Sequence, residues 1–162
     1  MTILDGKKTS NDIKDEIAHE VNSIISNGDR PPHLAAVIVG NDGASLTYVG
    51  SKVRACEKVG FDSTLVSLED SISEQELLDK VYELNNDKKI DGYIVQLPLP
   101  EHIDTQKVLL AVDPKKDVDG FHPVNFGRMA LNLPTFISAT PNGIMELLKR
   151  YEVPTEGKNT IV

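Results

Sequence analysis

The sequence predicts an α/β fold, a three-layer domain with a mostly parallel sheet flanked by helices, on three observations. Segments with helical spacing alternate with short apolar segments. The apolar segments are rich in β-branched residues and run continuously, as strands do when both faces are covered. Their order, strand, helix, strand, helix, strand, suits right-handed crossovers. With 162 residues, the chain can bury the core of one domain and is too short for two complete ones.

A first helix is predicted in "SNDIKDEIAHEVNSIISNG", where Ile13, Ile17, Val21, Ile24 and Ile25 recur at helical spacing. Ser10 or Asn11 is the expected cap, and Asn27-Gly28 the expected end. "HLAAVIVG" then reads as a strand covered on both faces, followed by a helix that contains Tyr48. "DSTLVSL" is a second strand, and "SEQELLDKVYELNND" a helix opened by a capping box from Ser73 to Glu76. "DGYIVQLPLP" is a short strand that runs into a proline-broken loop, and "TQKVLLAV" a short helix. In "PTFISATPNGIMELLKRY" a loop feeds a helix, with Thr140 expected as N-cap and Pro141 at the first helical position. "GKNTIV" reads as the start of a new strand, so the sequence is expected to be a piece of a longer protein.

A formal net charge of −8 argues against a surface for nucleic acid or acidic lipid, since both need clustered Lys and Arg. Small molecules or another protein chain are the expected partners. The single cysteine, Cys56, cannot form an internal disulfide, and "MTILDGKKTSND" lacks the apolar core of a signal peptide, so a cytoplasmic location is expected. No apolar run reaches about 18 residues, and no membrane span is expected.

Three stretches could carry chemistry. In "SLTYVGSKVRAC", Leu46, Val49, Val53 and Cys56 form an apolar stripe, and Tyr48 and Lys52 lie on its shoulder one turn apart. On the residues alone, a lysine snorkelling beside a half-buried tyrosine accounts for the pair better than catalysis does. The Tyr-x-x-x-Lys spacing also occurs in short-chain dehydrogenases, but the glycine-rich loop that precedes it there is missing. Gln96 stands at the carboxyl end of a predicted buried strand, where open α/β sheets bind ligands; it could equally satisfy loop backbone groups. "DPKKDVDGFHP" sets Asp113, Asp117 and Asp119 before a turn at Gly120. It lacks the glutamate of a calcium loop and reads either as a solvated acidic turn or as a carboxylate taking paired N–H donors from an amino-substituted heterocycle. His19, His33, His102 and His122 have no metal-ligand spacing, and no metal site is expected. Cys56 is expected to pack in the core.

Taken together, "SLTYVGSKVRACEKVG", "DGYIVQLPLP", "KKDVDGFHPVNFGR" and "ATPNGIMELL" resemble, in order and spacing, the bifunctional methylenetetrahydrofolate dehydrogenase/methenyltetrahydrofolate cyclohydrolase family. The resemblance implies a two-domain homodimer with a folate-binding domain first and a Rossmann domain for NADP second. On that reading residues 1–137 are the folate-binding catalytic domain, and 138–162 are the connecting helix and first strand of the NADP domain. A tetrahydrofolate derivative is the implied substrate, and no residue of this chain is implied in holding NADP.

By position, the resemblance makes Lys52 the general base, Gln96 the group that orients its amine, and Tyr48 a flat face that positions the folate and fixes the Lys52 rotamer. Asp119 would hold the pterin edge, and Leu97, Pro98, Gly120, Pro141 and Gly143 are implied in substrate binding. The family often has a cysteine before "TPNG"; Ala139 stands there in this sequence. Hydride transfer is not expected from these residues alone. Two other readings compete: a non-catalytic pterin-binding or dimerisation module, and the leading domain of another two-domain NAD(P)-dependent dehydrogenase.

Overall fold

The computed structural model describes residues 3–159. Helix α1 (Gly6–Ser26) leads into strand β1 (His33–Val39), then α2 (Gly43–Val59), β2 (Asp62–Leu68), α3 (Glu74–Asn86) and β3 (Gly92–Val95). Three helices follow: α4 (Thr105–Ala111), α5 (Pro123–Ala130) and α6 (Ala139–Arg150). The three strands form a parallel sheet in the order β2-β1-β3.

Strand β1 is buried from Ala35 to Val39, and its alternate side chains enter two different cores. Ala35, Val37 and Val39 join Leu77, Leu78 and Val81 of α3, Val108 of α4, and Tyr93 and Val95 of β3. Ala36 and Ile38 face the other way, onto Val49 of α2. The result is three layers, as the continuous apolar run predicts. Of the predicted stripe on α2, Val49 and Cys56 are buried and Val53 is half-buried, whereas Leu46, in the first turn, stays exposed.

Local chemistry sets the element boundaries. Ser73 and Glu76 form the capping box of α3. α1 begins earlier than the periodicity suggests: Asp5, not Ser10 or Asn11, is its cap and accepts from Lys8 N at 2.9 Å. With a carboxylate already satisfying the first free donors, Ser10 and Asn11 lie inside the helix. α6 also starts earlier than expected. Ser138 stands at its N-cap without a side-chain bond, which places Pro141 third in the helix rather than first. That position is open to proline because none of the first four N–H groups has an intrahelical acceptor. Helix α5 is not anticipated by the periodicity; His122 caps it through Nδ1 and Pro123 opens it. The strand expected in "GKNTIV" falls on residues 160–162, outside the described residues, and residues 157–159 are not in a strand.

Helix α6 is fixed against α1. Arg150 makes a two-pronged ion pair with Glu16, with both bonds at 2.7 Å, and also bonds Glu146; Tyr151 Oη accepts from Asp5 N at 3.0 Å. The carboxylates hold the Arg150 guanidinium well above its usual range, and Arg150 in turn holds Glu16 below the usual carboxylate value.

A strap made by residues 116–118 runs along β3. Tyr93 N donates to Lys116 O at 2.9 Å, and Tyr93 forms a parallel bridge with Asp117. The strap lies so close that a β-carbon on Gly92 would sit 2.3 Å from Val118 Cγ1. Gly92→Ala is therefore expected to destabilise the fold by about 1–3 kcal/mol, read as a lower midpoint in a thermal melt. Adding Val118→Ala to that variant should restore part of the loss; no recovery would mean that the strap is not what forbids the side chain.

Candidate active site

In the sheet order β2-β1-β3, the chain leaves β1 for one neighbour and returns on the other side of β1. α2 covers one face and α3 the opposite one. The loops after β1 and β3 therefore diverge, and a crevice opens beyond the strand ends, where parallel α/β sheets hold ligands. The loop after β1 starts α2, whose first two turns carry Ser45 and Tyr48, with Lys52 a turn further; the loop after β3 carries Gln96, Leu97 and Pro98. The Leu97–Pro98 peptide bond is cis.

A cavity of about 190 Å³ occupies this crevice and is lined by Tyr48, Lys52, Gln96, Leu97 and Asp119 among others. All three implied catalytic residues and Asp119 thus converge on one space. A second, shallower cavity adjoins it across Tyr48, Gln96 and Leu97 and adds Asp42, Ser45 and Pro98. Gly120 stands behind the first cavity. Its φ is +67°, and a β-carbon there would lie 2.9 Å from Phe136 O and Ser138 N. Only glycine lets the loop approach that segment so closely. Pro141 and Gly143 lie further along α6, are exposed and line neither cavity. Val95, Phe121 and Ser138 line the first cavity and were not singled out by sequence pattern; Ala139, noted where the family often has a cysteine, and Thr140, expected as a helix cap, line it too.

Lys52 Nζ sits 4.7 Å from the centroid of the Tyr48 ring, over its face. That contact is a cation–π interaction, and it limits the rotamers open to Lys52. Tyr48 is 56 % exposed, so the ring still has surface to offer a ligand. Gln96 Nε2 donates to Leu97 O at 2.7 Å, which fixes the amide and leaves Oε1 buried without a hydrogen-bond partner among the described residues. An acceptor held this way in a cavity that contains an amine is suited to orienting that amine.

The titrating groups are displaced toward their neutral forms. Burial lowers the Lys52 pKa below its ordinary value, and the negative charge of Asp119 opposes the shift. Burial raises Asp119, Lys52 opposes the rise, and Asp117 adds to it. An amine less basic than usual, in a cleft and beside a buried acceptor, is better suited to take up a proton than a free lysine is.

Asp117 and Asp119 divide the labour of the acidic turn. Asp117 is 5 % exposed and accepts from Phe121 N at 3.2 Å and from His122 N and Asn125 Nδ2 at 2.8 Å each. Asp119 is the one that reaches the cavity. Among the described residues no group of three or more His, Cys, Asp or Glu side chains is arranged to hold a metal ion. No helix among them is long and apolar enough to cross a membrane.

Comparison with known proteins gives the geometry a context. Residues 4–119 match the family described as tetrahydrofolate dehydrogenase/cyclohydrolase, catalytic domain. The chain belongs to this family. The bifunctional protein FolD of Flavobacterium johnsoniae is 70 % identical over 162 residues, covering 100 % of this chain and 55 % of the relative. That of Christiangramia forsetii is 68 % identical over the same span and is covered to 54 %. The chain therefore spans about half the length of the curated relatives it matches. Among solved structures, the bifunctional FolD methylenetetrahydrofolate dehydrogenase/cyclohydrolase of Campylobacter jejuni superposes with a TM-score of 0.91 at 44 % identity, over 94 % of this chain and 54 % of that one. The Trypanosoma brucei family member, complexed with NADP cofactor and inhibitor, gives a TM-score of 0.92 at 32 % identity, over 97 % of this chain and 54 % of that one.

The raised Asp119 pKa has a measurable consequence. Folding strengthens the hold on this proton, so the group's contribution to stability is whole below its ordinary value of 3.8 and is lost as pH rises through the higher folded value. Asp119→Asn, neutral throughout, should gain stability relative to the parent chain across that window, measured as the difference in melting temperature at a series of pH values. Lys52→Met should push the Asp119 titration higher still in a carboxyl-carbon NMR experiment, because it removes the one charge that lowers it.

Proposed function

We propose that this chain is the folate-binding part of an enzyme of one-carbon metabolism. The enzyme oxidises 5,10-methylenetetrahydrofolate to 5,10-methenyltetrahydrofolate with NADP and hydrolyses the product to 10-formyltetrahydrofolate. The observation that carries this reading is the meeting of Lys52, Tyr48, Gln96 and Asp119 around one cavity, with the amine made less basic by burial. Residues 1–137 are assigned to folate binding, and 138–162 to the connection toward a nucleotide-binding domain. The complete enzyme is assigned as a cytoplasmic homodimer.

Tyr48 offers its ring to the aromatic part of the folate, and Asp119 offers two coplanar carboxylate oxygens to the amino-substituted edge of the pterin. The methenyl group carries positive charge, and its arrival beside Lys52 lowers the amine's pKa further. Neutral Lys52 Nζ then takes a proton from water as the oxygen bonds to the bridging carbon. It returns a proton to N5 as the N5–carbon bond breaks, and the second water proton leaves to solvent as the formyl carbonyl forms on N10. Gln96 Oε1 keeps the amine aimed at that carbon through both transfers.

NADP, when bound, supplies the hydride acceptor. The described residues do not fit its pyrophosphate. The turn after β1 reads Gly40-Asn41-Asp42-Gly43, and the Asp42 carboxylate caps α2 by accepting from Ser45 N at 2.8 Å. A pyrophosphate would need that helix start free of negative charge. No step is assigned to NADP here, and its site is assigned to the part of the enzyme outside these residues.

In the complete enzyme, Lys52→Met is expected to slow the decay of methenyltetrahydrofolate absorbance by about 10²–10⁴-fold while folate affinity changes only severalfold. Unchanged hydrolysis by that variant would leave these residues a binding role only. NADP-dependent oxidation by the 162-residue chain alone would refute the assignment of the nucleotide site to another domain.

A further inference from the structure

Among the described residues, no hydrogen bond holds the Asp119 carboxylate; its position depends on the backbone of the turn that carries it. That turn is wound around another carboxylate. Asp117 accepts the Phe121 and His122 amides through its side chain and the Gly120 amide through its backbone carbonyl at 3.2 Å. The remaining partner of the Asp117 side chain is Asn125, which is 4 % exposed and lies on α5.

Every polar atom of the Asn125 side chain is engaged. Nδ2 donates to Asp117 Oδ2 and to Pro114 O, each at 2.8 Å, and Oδ1 accepts from Thr135 Oγ1 at 2.8 Å. One amide therefore ties together the strap before the turn, the turn itself, and the segment that continues through Phe136 to Ser138. That segment is the one against which Gly120 packs, and its far end, Ser138, lines the same cavity as Lys52 and Asp119.

We infer that Asn125 is a positioning residue for folate recognition: through Asp117 and Thr135 it sets the Asp119 carboxylate and the facing wall of the cavity at one fixed separation. The inference rests on the folate reading above. An amide suits the post because it donates twice to oxygen acceptors and accepts once, which neither a carboxylate nor a hydroxyl can do. An aspartate there would set two negative groups against each other.

The test is the affinity of the complete enzyme for 5-formyltetrahydrofolate, measured by isothermal titration. Asn125→Ala should weaken binding about tenfold, the scale of one lost hydrogen bond to a charged group. Thr135→Val, which keeps the shape of the side chain and removes its hydroxyl, should weaken it about threefold, and Thr135→Ser should hold within about twofold of the parent. This pair keeps the question answerable even if Asn125→Ala does not fold.

The decisive measurement is a double-mutant cycle with Asp119→Asn. If Asn125 acts in part through Asp119, its substitution costs less once Asp119 is gone, the remainder being the wall held through Thr135; losses that add in full would show a general structural role and overturn the inference. Parent-like affinity in Asn125→Ala and Thr135→Val would overturn it while leaving the folate reading intact. Failure of the unsubstituted complete enzyme to bind would overturn both.

Discussion

Strand β1 must be buried on both faces, and the rest of the molecule is arranged around that requirement. A single strand cannot cover itself, so one helical layer lies on Ala36 and Ile38 and another on Ala35, Val37 and Val39. Placing the two layers on opposite faces forces the loops after β1 and β3 apart. The crevice that results is a by-product of covering the strand, and the polar groups of the site are those that fall on its rim. Lys52 and Gln96 need no special backbone to reach the same cavity; the first is in the third turn of α2, and the second is the residue after β3.

Local stability is given up at this rim. Burial disfavours the charged forms of both Lys52 and Asp119, and each relieves the other only in part. Among the described residues Gln96 Oε1 is buried with no donor, a cost that a well-optimised core would not carry. These penalties are affordable because the cores beneath are closely packed and their polar atoms matched. Tyr93 Oη donates to Asn85 Oδ1 at 2.7 Å, and burial keeps that phenol protonated far above its usual range. Asn85 also takes the Asp113 amide, so the same residue anchors the chain just ahead of the strap that leads to Asp119.

Much of this organisation was legible in the sequence, and the exceptions have physical reasons. Continuous apolar runs gave β1 and β3 because burial on both faces removes the alternation of a half-exposed sheet, an alternation that the edge strand β2 keeps. The Ser73–Glu76 box marked the start of α3 because two reciprocal bonds leave a fixed spacing. Ser10 and Asn11 misled because capping residues also occur inside helices, and nothing in spacing alone ranks them below Asp5. α5 escaped notice because eight residues give too little periodicity, although His122-Pro123 is a start signal in retrospect. Asp117 and Asp119 are chemically identical and two apart. Only the fold shows that one is consumed by backbone amides while the other faces the cavity. Asn125 and Thr135 were invisible for the same reason, since their partners are set by the turn rather than by any local pattern.

Helix α6 joins two distant parts of the molecule in one rigid piece. Its first turn contributes Ala139 and Thr140 to the cavity, and its last is ionically fastened to α1 through Arg150 and Glu16. Twelve residues at 1.5 Å each make an arm of about 18 Å. Geometrically it is a lever whose fulcrum is an ion pair open to solvent, and ionic strength acts directly on such a joint. Salt weakens only the ionic part of that fastening; the bond from Asp5 N to Tyr151 Oη at the same end of the helix carries no charge and is left in place.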